Sequence, residues 1–121
     1  MFHHPAGAYR QTEKEFKKKR GTRNAMLVPG ASREKIVDII KDLLPDAERF
    51  TFFNDSAVIN GNRYFYPSVT FETDVGLSNR PIYQDFKRAG LYFIAHNWKH
   101  EPGPARRRFT HHMFIDEKFM G

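Results

Sequence analysis

Between Ile36 and Leu44 the apolar residues Ile36, Ile39, Ile40, Leu43 and Leu44 recur at i, i+3, i+4, i+7 and i+8, with Lys35, Asp38, Lys41 and Asp42 between them. That spacing is one face of an amphipathic helix. Ser32 reads as its N-cap. Lys35 rather than an acid stands three residues later, so no capping box is expected there, and Pro45 reads as the stop. From Glu48 the period drops to two. "ERFTFFN" and "AVINGNRYFYPSVTFET" are rich in aromatic and β-branched residues and read as strands. They turn at Asn60-Gly61, because a type I′ turn needs φ > 0 at both central positions. The second strand carries Pro67, which donates no hydrogen bond, so it is expected at a sheet edge or with a bulge at that point.

Further on, Pro81 suits a first helical position and Gly90 suits the residue after a helix end, which brackets a short helix between them. "LYFIAHNW" is apolar on both faces and reads as a central strand. The stretch from Lys99 to Ala105 reads as a loop, "RRRFTHHMFI" as the last strand, and "DEKFMG" as a tail that frays or docks one phenylalanine. At the other end, "YRQTEKEFKKKRGTR" places Glu13 before Lys17 and Glu15 before Lys19 at the favourable i, i+4 spacing. A short basic helix ending at Gly21 follows, with Tyr9, Phe16 and Thr12 able to face a core. "NAMLVPG" reads as an edge strand. The expected architecture is α+β, a mainly antiparallel sheet with two or three helices on one face. Residues 1–24 form a basic arm or short helix and residues 25–121 the core domain.

The length of 121 residues suits one domain, and Lys and Arg outnumber Asp and Glu by 20 to 14, a net charge of +6. A balance of that sign favours polyanionic partners. There is no cysteine, which excludes a disulfide framework and a thiolate zinc site. With no long apolar stretch and no leader-like start, the expectation is a protein of the reducing cytoplasm without a membrane role. Neither a P-loop, a nucleophile elbow nor a dinucleotide fingerprint is present. His96 and His100 share metal-site spacing, but on a strand and without an adjacent glutamate, so neither a metal nor a cofactor is expected.

The candidate chemistry sits in the last two strands. If they pair across the loop, Tyr92 falls opposite His112, Ile94 opposite Thr110, His96 opposite Arg108 and Trp98 opposite Arg106. Opposed residues share a face. One face then holds Leu91, Phe93, Ala95, Phe109, Met113 and Ile115, with His111 and Arg107 as polar intruders. The other gathers Tyr92, His96, Trp98, Arg106, Arg108, Thr110 and His112, with Ile94 and Phe114. A two-residue slip would keep these faces and change only the neighbours. Arginine forks suit phosphate, and Tyr92 and Trp98 suit base stacking.

Three functions fit. The first is binding of RNA or single-stranded DNA by this face together with Lys17, Lys18, Lys19, Arg20 and Arg23. The second is an inhibitor or adaptor, of the kind viruses and mobile elements use, docking its Arg and aromatic residues on a partner protein such as a nucleic-acid-processing machine. The third is a metal-independent ribonuclease, with His96 and His112 as general base and acid and Arg108 stabilising the developing charge.

Overall fold

The computed structural model describes residues 7–20, 28–74, 80–93, 99–102 and 107–120. Its elements in chain order are β1 (Gln11–Thr12), α1 (Glu13–Arg20), α2 (Gly30–Leu43), β2 (Glu48–Ile59), β3 (Asn62–Thr73), α3 (Arg80–Ala89), β4 (Leu91–Phe93), β5 (Lys99–Pro102), β6 (Arg107–Ile115) and a closing 3-10 helix (Glu117–Met120). The fold is α+β. All six strands join one antiparallel sheet, with β2 on one edge of β3 and β1 and β6 following each other along the opposite edge. The far edge of β6 carries β4 at its C-terminal end and β5 at its N-terminal end.

The β2–β3 hairpin turns where the sequence requires it, with Asn60 at φ 52° and Gly61 at φ 81°. Ile59 pairs with Asn62 across it. From that closing pair, alternate residues of β3 direct their N–H and C=O groups toward β2, and the odd-numbered ones direct them the other way. Pro67 is odd-numbered, and it falls between the β1 pairs, which reach Phe65, and the β6 pairs, which start at Ser68. β3 is therefore an inner strand rather than the expected edge, because the missing N–H of Pro67 meets a break in the ladder. The first pairs of β2 slip at a bulge where Arg49 takes φ 61°.

Helix α2 starts three residues earlier than Ser32 suggests. Pro29 occupies the N-cap position with no side-chain cap, and Ser32 lies in the first turn. Ile36 and Ile40 are buried against Val69, Phe71, Phe86, Leu91, Met113 and Ile115. Helix α3 ends as expected, with Gly90 at φ 95° donating its N–H to the Lys87 carbonyl at 3.0 Å. Nearest the N-terminus the helix is shorter than its charge pattern implies, since Gln11 and Thr12 pair with Phe65 and Tyr64 of β3 instead. Thr12 and Glu15 close a capping box: Thr12 Oγ1 accepts from the Glu15 N–H at 3.2 Å, and Glu15 Oε1 accepts from the Thr12 N–H at 3.2 Å. Phe16 then stacks on Phe65 with ring centroids 4.2 Å apart. The boundary expected near residue 24, and most of "NAMLVPG", lie outside the described residues, although Val28 is buried in the core.

The tail does not fray. Phe119 is buried, and Asp116 ties several segments together. Its carboxylate accepts from the Tyr92 hydroxyl at 2.6 Å and from the Lys118 N–H at 2.8 Å, and its own N–H donates to the Gly90 carbonyl at 2.9 Å. The N-terminal segment is held at the same place, with Glu117 N–H donating to Gly7 C=O and Tyr9 N–H to Ile115 C=O. Gly7, at φ 92°, packs so closely on Tyr92 and Asp116 that no side chain fits there. Among the described residues no helix is long and apolar enough to cross a membrane.

Candidate nucleic-acid interface

The C-terminal strands pair in two registers. β4 sets Leu91, Tyr92 and Phe93 opposite Ile115, Phe114 and Met113. This is the two-residue slip from the expected pairing, so Tyr92 keeps its face but meets Phe114 rather than His112. In β5, Lys99, His100, Glu101 and Pro102 lie opposite Thr110, Phe109, Arg108 and Arg107. Positions read as loop are therefore strand, and Glu101, not His96, stands opposite Arg108. Arg108 is thus taken by Glu101 rather than by the expected His96, and the expected Trp98–Arg106 pair lies outside the described residues. His96, Trp98 and Arg106 themselves lie outside the described residues, as does Arg23. Nor is Leu91–Phe93 a central strand: among the described residues it pairs with β6 alone.

The helix-facing side follows the expected division. His111 is buried there with Phe71 and Met113. Its Nε2 and the Thr73 hydroxyl share a hydrogen bond of 2.7 Å, and Phe71 and Phe93 flank the ring at 5.2 and 6.1 Å. Burial lowers its pKa to about 4, with a weaker opposing pull from Asp46. It is a neutral core histidine.

The opposite face differs from expectation. Its centre is closed. Tyr66 and Phe114 are buried and stacked with centroids 4.2 Å apart, with Ala8, Ala57, Tyr64 and Tyr92 packed around them. Burial raises the Tyr66 phenol above its ordinary range, and the nearby positive charge of Arg10 pulls the other way. The Arg10 guanidinium also lies 5.0 Å from the centre of the Tyr64 ring. Tyr92 is half-buried, and burial, helped by the bond to Asp116, pushes its phenol up to about 12.

The His112 side chain is only 10% exposed. Phe53 lies 5.1 Å from the ring and Phe114 sits edge-on at 6.0 Å. Its Nε2 comes within 3.5 Å of Asp55 Oδ2 across the sheet. Asp55 pairs with Tyr66 and His112 with Thr70. Ser68, buried and small, lies between those two β3 positions and leaves room for the two side chains to meet. Burial lowers the His112 pKa, and Asp55 only partly offsets it. Ser, His and Asp thus adjoin, but the Ser68 hydroxyl donates back to the Tyr66 carbonyl at 3.2 Å. An imidazole covered on both sides presents little surface to a leaving group. Among the described residues no group of three or more potential ligands is placed to hold a metal ion.

The remaining basic element of the C-terminal strands is the β5–β6 ribbon. The last pair between β3 and β6 is Thr73 with Phe109, whereas the β5 ladder continues to Pro102 with Arg107. Past the last β3 pair, among the described residues, the ladder of β5 and β6 alone carries Glu101, Pro102, Arg107 and Arg108, while Lys99 and His100 lie opposite Thr110 and Phe109, which β3 also pairs. The other basic run, Lys17, Lys18, Lys19 and Arg20, belongs to α1. That helix follows β1, whose pair with Phe65 lies eight residues of β3 from Thr73, about 26 Å along the strand. The two basic runs are rooted at opposite ends of the sheet rather than on one surface. Glu13 lies 3.8 Å from Arg63 and Glu15 caps the helix. No protein-family profile, curated protein or solved structure matches this chain.

Proposed function

We propose that this is a nucleic-acid-binding protein that grips phosphate through the β5–β6 ribbon. The observation that supports this reading is the continuation of the ribbon past the last β3 pair with Arg107 and Arg108 on it. A chain of net charge +6 draws polyanions toward it. Arginine then holds phosphate in a planar, bidentate contact. The α1 run supplies a second, separate point of attraction.

Fluorescence anisotropy with labelled RNA, single-stranded DNA and duplex DNA over a range of salt concentrations tests it. Affinity is expected to fall steeply as salt rises. Arg107→Ala with Arg108→Ala should shallow that dependence by about one unit of slope for each phosphate the two arginines neutralise, while the melting curve stays put. The reading fails if none of the three probes binds at low salt, or if the double variant binds as the parent protein does.

A further inference from the structure

We propose that the outer edge of β2 pairs, antiparallel, with the same edge of a second copy of this chain. Among the described residues β2 pairs with β3 alone. Counted from the closing Ile59–Asn62 pair, Phe53, Asp55, Ala57 and Ile59 turn their N–H and C=O groups to β3. Asn54, Ser56 and Val58 therefore turn theirs outward. Ser56 shows this directly, since its N–H donates to the neighbouring carboxylate, Asp55 Oδ1, at 2.8 Å rather than to the ladder. The half of the edge nearest the hairpin tip is accessible. No residue from Asp55 to Arg63 is buried, and Val58, 57% exposed, is the one exposed large apolar side chain among the described residues. A bare strand edge is a template for another strand, and proteins blunt such edges with proline, lysine or a bulge. The bulge of β2 lies at Arg49, far from the tip, and from Phe50 to Gly61 there is neither proline nor lysine.

Charge and register select a second copy as the occupant. Two chains of net charge +6 repel each other. Between Phe50 and Gly61, however, the only charged residue is Asp55, so two copies meet there without bringing cations together. Like charges directly opposite destabilise a strand pair, which excludes a twofold axis at Asp55. An axis at Ala57 sets Asp55 against the partner's Ile59 instead. Ala57 then meets the partner's Ala57 in the close, non-hydrogen-bonded type of pair, where a small side chain fits. Ser56 exchanges backbone hydrogen bonds with the partner's Val58, its N–H giving up Asp55 to do so. The shared ladder from Asp55 to Ile59 is about 14 Å long and covers Val58 in both copies.

Sedimentation equilibrium of the full chain over a wide concentration range tests this, with amide exchange followed on the same samples. A monomer–dimer equilibrium is expected. The Ser56 and Val58 amides should gain protection as the dimer forms, whereas the Ala57 amide, already bonded to β3, should not change. Val58→Pro removes an outward N–H without touching the ladder to β3. By symmetry it removes that donor from both copies, and it should weaken association about tenfold or more. Val58→Lys, at the same exposed position, should weaken it as well by placing like charges on the edge. A monomer at every concentration overturns the proposal. So does a dimer whose Val58 amide exchanges as it does in the monomer, or one whose strength neither variant changes.

Discussion

His111 enters the core as a neutral imidazole and stays neutral only while the solution lets it. Its folded pKa is about 4 against 6.5 for the free side chain. The unfolded chain therefore takes up a proton between those values and the folded chain does not. The stability from this site is complete above pH 6.5 and drains away as pH falls toward 4, by about 3 kcal/mol in all. His112 is shifted in the same direction and adds to the loss. Urea midpoints taken from neutral pH downward should drop through this window, and His111→Leu should flatten much of the drop. An unchanged midpoint would contradict the burial. Asn54 offers a different test. It is 8% exposed, and among the described residues neither its amide nitrogen nor its oxygen has a hydrogen-bond partner. Gln11 Oε1, 3% exposed on the same side of the sheet, is in the same position. An unsatisfied buried amide costs about 1–3 kcal/mol. Asn54→Leu, close in volume, should raise the melting temperature, and calorimetry would show it. Phe71→Ala removes a fully buried ring and should cost about 3–5 kcal/mol in denaturant unfolding. Phe93, half-buried beside Phe86, should cost less.

Among the elements, α1 packs on β3 through a single described apolar side chain, Phe16. It is held by the Phe16–Phe65 stack, the Thr12–Glu15 box and the exposed Glu13–Arg63 contact. Surface ion pairs contribute little. Phe16→Ala should accordingly raise amide exchange across Glu13–Arg20 while leaving β3 protected, and equal loss of protection in both would show that α1 is integral to the sheet. The elements that could be read from sequence are those set by local rules. The apolar stripe of α2, the Asn60-Gly61 turn and the Pro81 and Gly90 brackets each act within a few residues. β1 was hidden because two residues cannot show a period, although Thr12 and Glu15 did spell the capping box that begins α1. The hairpin register was hidden for another reason. β4 and β5 meet β6 in registers that differ by three residues, which breaks the alternation that pattern reading assumes. The closing of the polar face was equally illegible, since it depends on which strands flank β3 and on a small residue at position 68.

For the whole molecule, the placement of charge matters more than its total. The α1 run and the ribbon are rooted about 26 Å apart along β3, beyond the range at which exposed charges couple through salt solution. Their effects on binding should therefore add. Neutralising Lys17, Lys18, Lys19 and Arg20, and separately Arg107 and Arg108, should give losses whose sum matches the combined variant within about 0.5 kcal/mol. A larger discrepancy in anisotropy titrations would mean that the two runs act on one contact.

The Asn60-Gly61 turn that sets the hairpin also starts a chemical clock. Both residues are exposed, and nothing stands within 4 Å of where a side chain on Gly61 would begin. The Gly61 backbone nitrogen is thus unshielded for attack on the Asn60 side-chain carbonyl. A new C–N bond forms, ammonia leaves, and water opens the ring to aspartate or isoaspartate. The isoaspartyl link lengthens the backbone at the point where the turn needs two positive φ angles. Stored at mildly alkaline pH, the protein should accumulate this form, visible by peptide mapping, and Asn60→Asp should not release ammonia. Age, for this fold, would be written first at the tip of its longest hairpin.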